Sequence, residues 1–210
     1  MDSGVDTVSV TALSFTEYVM SGQRGRINIL GEQRAMYLAE DLRMCGFYNP
    51  VRDAMRRAVS SPTPEVEMRG AVLAANRNGQ LRAFEEVADG FLPWLRKVRV
   101  TGVPVSSGRW AAGDLTLKVR PHLGLRLGDG SLAAALVYVK EAPLTREAAT
   151  VGLRILQQTM DETLPGGEPW VLDARRGRVF RLGKRTNLGK LDALIAAEAA
   201  GYVMHWRLSA

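Results

Sequence analysis

The chain has 210 residues, a length compatible with one domain or with a core that carries a smaller attached unit. Hydrophobic residues make up 46% and charged residues 24% of it, which is typical of globular proteins and excludes fibrous and disordered classes. The net charge of +6 is compatible with a polyanionic partner such as DNA or RNA but indicates no specificity.

The beginning of the sequence has none of the features of a secretory signal. Acidic Asp2 and Asp6 stand where a basic region would be, so we predict a flexible lead-in over residues 1–12. No run of about 18 apolar residues is present to span a membrane, and the single Cys45 cannot form an intramolecular disulfide. These features predict a cytoplasmic location and no membrane partner.

Helical periodicity dominates residues 13–79. Apolar residues recur at spacings of three and four, and Asn49 followed by Pro50 is a typical helix start. A longer helix is predicted over residues 80–97, where Gly90 and Pro93 are expected to bend or divide it. We therefore expect a helical region at 13–79 that packs as a bundle against the rest of the chain.

After Val98 the period changes to that of strands. Residues 114–120 and 122–127 alternate between apolar and polar side chains, and a turn signal at 128–130 precedes the strand SLAAALVYVK. Its alanine-rich segment is apolar on both faces, which predicts a central strand. The three strands are expected to form a meander in one sheet.

The remainder of the chain alternates again between helix and strand. A helix is predicted over residues 144–164, then a hairpin that turns at Arg176 and Gly177, and finally a helix over residues 187–206. A helix between the meander and a further strand predicts a right-handed crossover. The fold class is therefore α/β with a mixed sheet over residues 80–210, preceded by a helical N-terminal region.

The element order over residues 80–180, with Asp114 opening one strand and Lys140 closing another, resembles the core of the PD-(D/E)XK nuclease superfamily. The resemblance implies that an acid on the second strand and a D/E-x-K motif on the third lie side by side and hold Mg²⁺. It implies catalytic roles for Asp114 and Lys140, a metal-ligand role for Asp114, and a helix carboxylate from Glu85 or Glu86.

The motif in this sequence is incomplete. Tyr138 stands at the position of the third-strand acid, and a phenol with an ordinary pKa of about 10 is neutral at pH 7 and a poor ligand for Mg²⁺. Glu141 points to the opposite face from Lys140, so it cannot replace the acid unless the strand bulges. We therefore expect no cofactor, with Mg²⁺ required only if a relocated carboxylate completes the site. Alternatively, Asp114 is a turn residue and Lys140 the exposed end of a buried strand.

Cations cluster at the last hairpin and in the segment after it: Arg175, Arg176, Arg178, Arg181, Lys184 and Arg185. Such a cluster predicts phosphate contacts, although Phe180 is the single aromatic residue among these cations and a solvated hairpin is the alternative. The favoured interpretation is a non-catalytic nuclease-fold protein that binds DNA or RNA through this hairpin. The alternatives are an active Mg²⁺-dependent nuclease and a protein-interaction scaffold that uses the N-terminal helices.

Overall fold

The computed structural model describes residues 7–38 and 46–209. The chain is an α/β protein with mixed sheets and a helical N-terminal region, as its sequence predicts. Its strands are β1 Val8–Thr11, β2 Thr101–Val103, β3 Gly108–Ala112, β4 Leu115–Val119, β5 Leu123–Arg126, β6 Leu132–Tyr138, β7 Glu168–Asp173 and β8 Arg178–Phe180. Its helices are α1 Ala12–Met20, α2 Gln23–Leu38, α3 Asn49–Ala58, α4 Pro64–Leu73, α5 Gln80–Val98, α6 Arg146–Gln158, α7 Met160–Thr163 and α8 Leu188–Leu208.

The larger sheet has five strands in the order β2-β5-β6-β7-β8. β6 and β7 are parallel and are joined through α6, whereas the other neighbours are antiparallel. The predicted central position of β6 is confirmed: the even-numbered residues of 134–138 lie in one apolar core and the odd-numbered residues of 133–139 in another. A strand buried on both faces needs this nearly continuous apolar sequence.

Helices cover both faces of the larger sheet. α1, α6 and α8 share one core with β1 and β4, whereas α3, α4 and α5 share the other. α2 packs on α1 and α8. Residues 13–79 are thus largely helical over their described parts, but they do not form one bundle, because α1 and α2 lie on one side of the sheet and α3 and α4 on the other.

The beginning of the described chain is ordered into a strand. Val8 and Val10 are buried, and β1 pairs in parallel with β4 from Val8 opposite Leu115 to Thr11 opposite Lys118. The prediction of a flexible lead-in is therefore wrong for residues 8–12. Residues 1–6 of that lead-in, and Cys45, lie outside the described residues.

β4 belongs to a second sheet with the order β1-β4-β3, so the predicted meander of three consecutive strands is wrong for this strand. β3 and β4 form a hairpin in which Ala112 pairs with Leu115 across a two-residue turn, Gly113 and Asp114. Gly113 has a φ of 53°, in the left-handed region that favours glycine. The tight turn gives β4 its partner before the chain reaches β5.

α5 is one continuous helix that passes through Gly90 and Pro93, so neither residue divides it. A Cβ atom at Gly90 would lie 2.2 Å from the carbonyl oxygen of Ala174, in the turn between β7 and β8. The missing side chain therefore permits helix and turn backbones to touch. This contact places the last two turns of α5 against the hairpin that carries the cation cluster.

Candidate functional site

Asp114 and Lys140 have separate partners in the structure. Asp114 lies in the β3–β4 turn, where its Oδ2 accepts a hydrogen bond from Nη2 of Arg207 in α8 at 2.9 Å. Lys140 follows β6, and its Nζ lies 3.7 Å from Oε1 of Glu17 in α1. Because β4 and β6 belong to different sheets, the strand that neighbours β6 before the crossover is β5, not the strand that Asp114 opens.

His122 is the residue that stands before β5 and beside β6. Its Nδ1 accepts a hydrogen bond from the Val137 backbone N–H at 3.0 Å. Burial and three arginines, Arg52, Arg56 and Arg120, hold the pKa of His122 well below the ordinary value of 6.5. The imidazole is therefore neutral at pH 7, and its Nδ1 serves as a hydrogen-bond acceptor for the β6 backbone.

Tyr138 is also buried and neutral. Its hydroxyl donates to the Ala142 carbonyl at 2.8 Å, and burial is the main cause that raises its pKa above the ordinary range. Across residues 7–38 and 46–209, no three His, Cys, Asp or Glu side chains are grouped so that they could hold a metal ion. The end of β6 thus presents neutral groups and Lys140, with Glu17 as the lysine's carboxylate partner.

The two candidate carboxylates of α5 differ in their surroundings. Glu85 is exposed. Glu86 accepts hydrogen bonds from Arg82 and Arg175, and the bond from Arg82 is the main cause that lowers the pKa of Glu86. The carboxylate of Glu86 is therefore bound to two arginines rather than directed at Lys140.

Arg175 is a structural residue, although the sequence places it among the candidate phosphate contacts. Its side chain is only 7% exposed. Its Nε donates to the Val139 carbonyl at 2.7 Å, Nη1 donates to Glu86, and Nη2 donates to the Tyr48 hydroxyl at 3.3 Å. The guanidinium thus links the end of β6 to α5 and to the residue before α3.

The remaining cations of the hairpin are closer to solvent. Arg176 is tied to its surroundings, since it donates to the buried Asp173 at 3.3 Å and to the Glu141 carbonyl at 2.6 Å. The other four are exposed, and we call them the hairpin cations: Arg178, Arg181, Lys184 and Arg185.

Two of the hairpin cations lie over aromatic rings. The guanidinium of Arg178 lies 4.6 Å from the ring centre of Phe180. The guanidinium of Arg181 lies 4.2 Å from that of Trp170. These contacts hold the two charges at defined places on the surface.

A groove of about 610 Å³ lies beside these cations, between the last turns of α5 and the β7–β8 hairpin. Four cations line it, Lys97 on the helix and Arg175, Arg176 and Arg181 on the hairpin, and Asp89 is the carboxylate among its described lining residues. We call it the α5–hairpin groove; its apolar and aromatic lining consists of Pro93, Trp94, Val98, Trp170 and Val179. It is a concave, positively charged surface with aromatic walls.

Sequence reasoning missed the aromatic part of this groove. Trp94 and Trp170 belong to segments far apart in the chain, and only the contact between α5 and the hairpin turn brings them together. One signal was available: Trp94 and Lys97 are three residues apart on a helix, so they share a face. The basic residues at the end of α5 follow this face directly and precede β2.

Comparison of the chain with protein-family models gives no match, and a search of curated proteins finds no similar sequence. None of the helices within the described ranges has the length and apolarity needed to cross a membrane.

Proposed function

We propose that this protein is a non-catalytic, nuclease-like α/β protein that binds nucleic acid through the hairpin cations. The observation that carries the proposal is the exposure of these four cations within one short stretch of chain, residues 178–185, next to a groove that Arg181 lines together with further positive charge. Clustered lysine and arginine side chains bind phosphates and release condensed counterions, which supplies most of non-specific affinity. The two candidate contacts that are engaged internally, Arg175 and Arg176, are not needed for this role.

The topology supports a nuclease-like core. α5 is followed by β2, β5 and β6 in an antiparallel arrangement, then by α6 and by β7, which is parallel to β6. This is the order of elements that the resemblance implies, with the β3–β4 hairpin inserted between the first and second strands. β5 then takes the place of the second strand, and the position expected for its acid moves from Asp114 to the neighbourhood of His122.

The chemistry of those positions supports a binding role over catalysis. Where the resemblance implies carboxylates, the protein has His122, held neutral by burial and nearby arginines, and the buried phenol of Tyr138. Mg²⁺ binds hard oxygen ligands, usually one or two carboxylates with water and phosphate. A neutral imidazole and a neutral phenol are poor substitutes for them.

The proposal is tested by measuring the binding of fluorescent DNA and RNA oligonucleotides by anisotropy. A variant in which all four hairpin cations are replaced by alanine is compared with a control variant that loses the same net charge from other exposed positions: Arg69, Arg109, Lys118 and Arg126. We expect affinity to fall at least about tenfold in the hairpin variant and less than about threefold in the control. Equal losses would show that only net charge matters and would contradict the proposal.

An active Mg²⁺-dependent nuclease is the second candidate, and one contact favours it. Glu17 of α1 lies beside Lys140, with its Oε1 3.7 Å from Nζ, so it is the carboxylate placed to act as a relocated ligand. This candidate predicts divalent-dependent cleavage that Glu17→Gln abolishes and Asp114→Ala leaves intact. Stoichiometric Mg²⁺ binding by calorimetry that depends on Glu17 would replace the binding proposal with this one.

A protein-interaction scaffold is the third candidate. Val66 and Leu73 are 64% and 76% exposed and lie seven residues apart on α4, which places them on one face of that helix. The test is affinity capture with the wild type and with a Val66→Ser/Leu73→Ser variant. A partner retained only by the wild type, together with no nucleic-acid binding, would favour the scaffold.

A further inference from the structure

We infer that the α5–hairpin groove binds one unpaired base of a single-stranded nucleic acid, so that the partner is a single strand rather than a duplex. This inference rests on the proposed function and specifies its substrate. The groove's volume of about 610 Å³ lies within the range of about 300–1,000 Å³ that is typical of small-molecule sites. A space of that size fits a nucleotide and is far too small to admit a double helix.

Arg181 provides a surface on which a base can stack. Its guanidinium lies over the ring of Trp170, which is fully buried, while Arg181 itself is exposed. One face of the guanidinium therefore contacts the indole and the other is open. A planar guanidinium held in this way stacks on any base, because every base has a π-face.

The opposite wall of the groove adds a second aromatic group, Trp94 of α5, which is 6% exposed. Together with Pro93 and Val98 it forms an apolar wall beside the cations. The site thus suits a group that is flat and attached to an anion.

Charge on both walls matches the phosphates on either side of that base. Lys97 on α5 is exposed and lines the groove, whereas Arg176, bound to Asp173 and to the Glu141 carbonyl, adds positive charge on the hairpin side without being needed as a direct contact. The remaining hairpin cations continue the positive surface beyond it. In a duplex the bases are stacked and paired, and taking one out costs a few kcal/mol, whereas a single strand offers its bases freely.

The first test compares two arginines that differ mainly in their position. Arg178→Ala and Arg181→Ala each remove one exposed cation that lies over an aromatic ring, but only Arg181 lines the groove. On a single-stranded oligothymidylate we expect Arg181→Ala to weaken binding by about 5- to 150-fold more than Arg178→Ala, the range for one stacked base. On a duplex of equal length the two variants should agree within about twofold.

The second test blocks the groove without changing charge. Val179→Phe adds a ring to the groove lining, and Val66→Phe adds the same ring to an exposed site on α4. We expect Val179→Phe to weaken single-strand binding at least about fivefold and to leave duplex binding unchanged, with no effect of Val66→Phe. Melting temperatures report whether each variant is folded.

The outcomes separate the inference from the proposed function. If Arg181→Ala and Arg178→Ala weaken single-strand binding equally, and Val179→Phe has no effect, the base site is refuted while binding by the hairpin cations stands. If the wild type binds neither single strand nor duplex, both are refuted. A mononucleotide that binds as tightly as the oligonucleotide would also overturn the assignment to a strand.

Discussion

Arg175→Ala removes a side chain that the structure buries between α5, β6 and the residue before α3. The Val139 carbonyl loses its hydrogen bond from Nε, and this strand end is buried, so the unsatisfied acceptor costs about 1–3 kcal/mol. Glu86 contributes less, because its side chain is 35% exposed and keeps its hydrogen bond to Arg82. We expect the free energy of unfolding to fall by about 2–4 kcal/mol.

The assay is urea denaturation followed by far-UV circular dichroism, with Arg178→Ala as the matched control. That exposed arginine makes no buried hydrogen bond in the described structure, and its removal should change stability by no more than about 0.5 kcal/mol. If Arg175→Ala were as stable as Arg178→Ala, Arg175 would be an exposed hairpin cation, and the structural role assigned to it would be refuted.

Three further predictions concern pH, backbone contact and the hairpin turn. The pKa of His122 is lower in the folded than in the unfolded protein, so the unfolded chain takes up the proton first as the pH falls below about 6.5. The contribution of neutral His122 to stability is therefore complete above that pH. Below it, this contribution declines by up to about 1.4 kcal/mol per pH unit until the folded pKa is reached. Acid denaturation of His122→Asn should lack this decline, and an unchanged pH profile would contradict it. Gly90→Ala should lower the melting temperature strongly, because the new Cβ atom would lie 2.2 Å from a backbone oxygen. The control Gly128→Ala should not lower it, because no atom lies within 4 Å of the new Cβ. Equal effects of the two substitutions would contradict the close contact of helix and turn. Asp114→Ala should reduce stability by less than about 1 kcal/mol in urea denaturation, since both it and its arginine partner are substantially exposed, and a larger loss would indicate a role beyond the turn.

Sequence predicts well those features for which the pattern of neighbouring residues determines the environment of a side chain or the backbone conformation. The alanine-rich run of β6 is apolar on both faces, and only a central strand has two apolar surroundings. Gly177, with a φ of 55°, marks the turn before β8 that the sequence predicts. The side chains of Thr145 and Asn187 cap α6 and α8, so a single residue marks the position at which each helix begins.

The features that sequence does not predict depend on which segments meet. The alternation of apolar and polar residues along β4 shows which side chains face a core. It does not show which strands lie next to β4, so the pairing with β1 and β3 could not be predicted from this segment. Arg175 and Arg178 are the same residue type in the same hairpin, so the sequence does not distinguish them. The contact of α5 with the hairpin buries Arg175, whereas Arg178 stays exposed. The same contact creates the groove.

The dependence of binding on salt tests the central claim, binding through the hairpin cations, most directly. The logarithm of the association constant falls with the logarithm of salt concentration by about 0.7 for each phosphate contact on a single strand. The variant without the four hairpin cations should therefore lose up to about 3 from the magnitude of the wild-type slope, whereas the control without Arg69, Arg109, Lys118 and Arg126 should keep the slope. A wild-type slope near zero, or the same slope in the hairpin variant as in the wild type, would contradict binding through these cations.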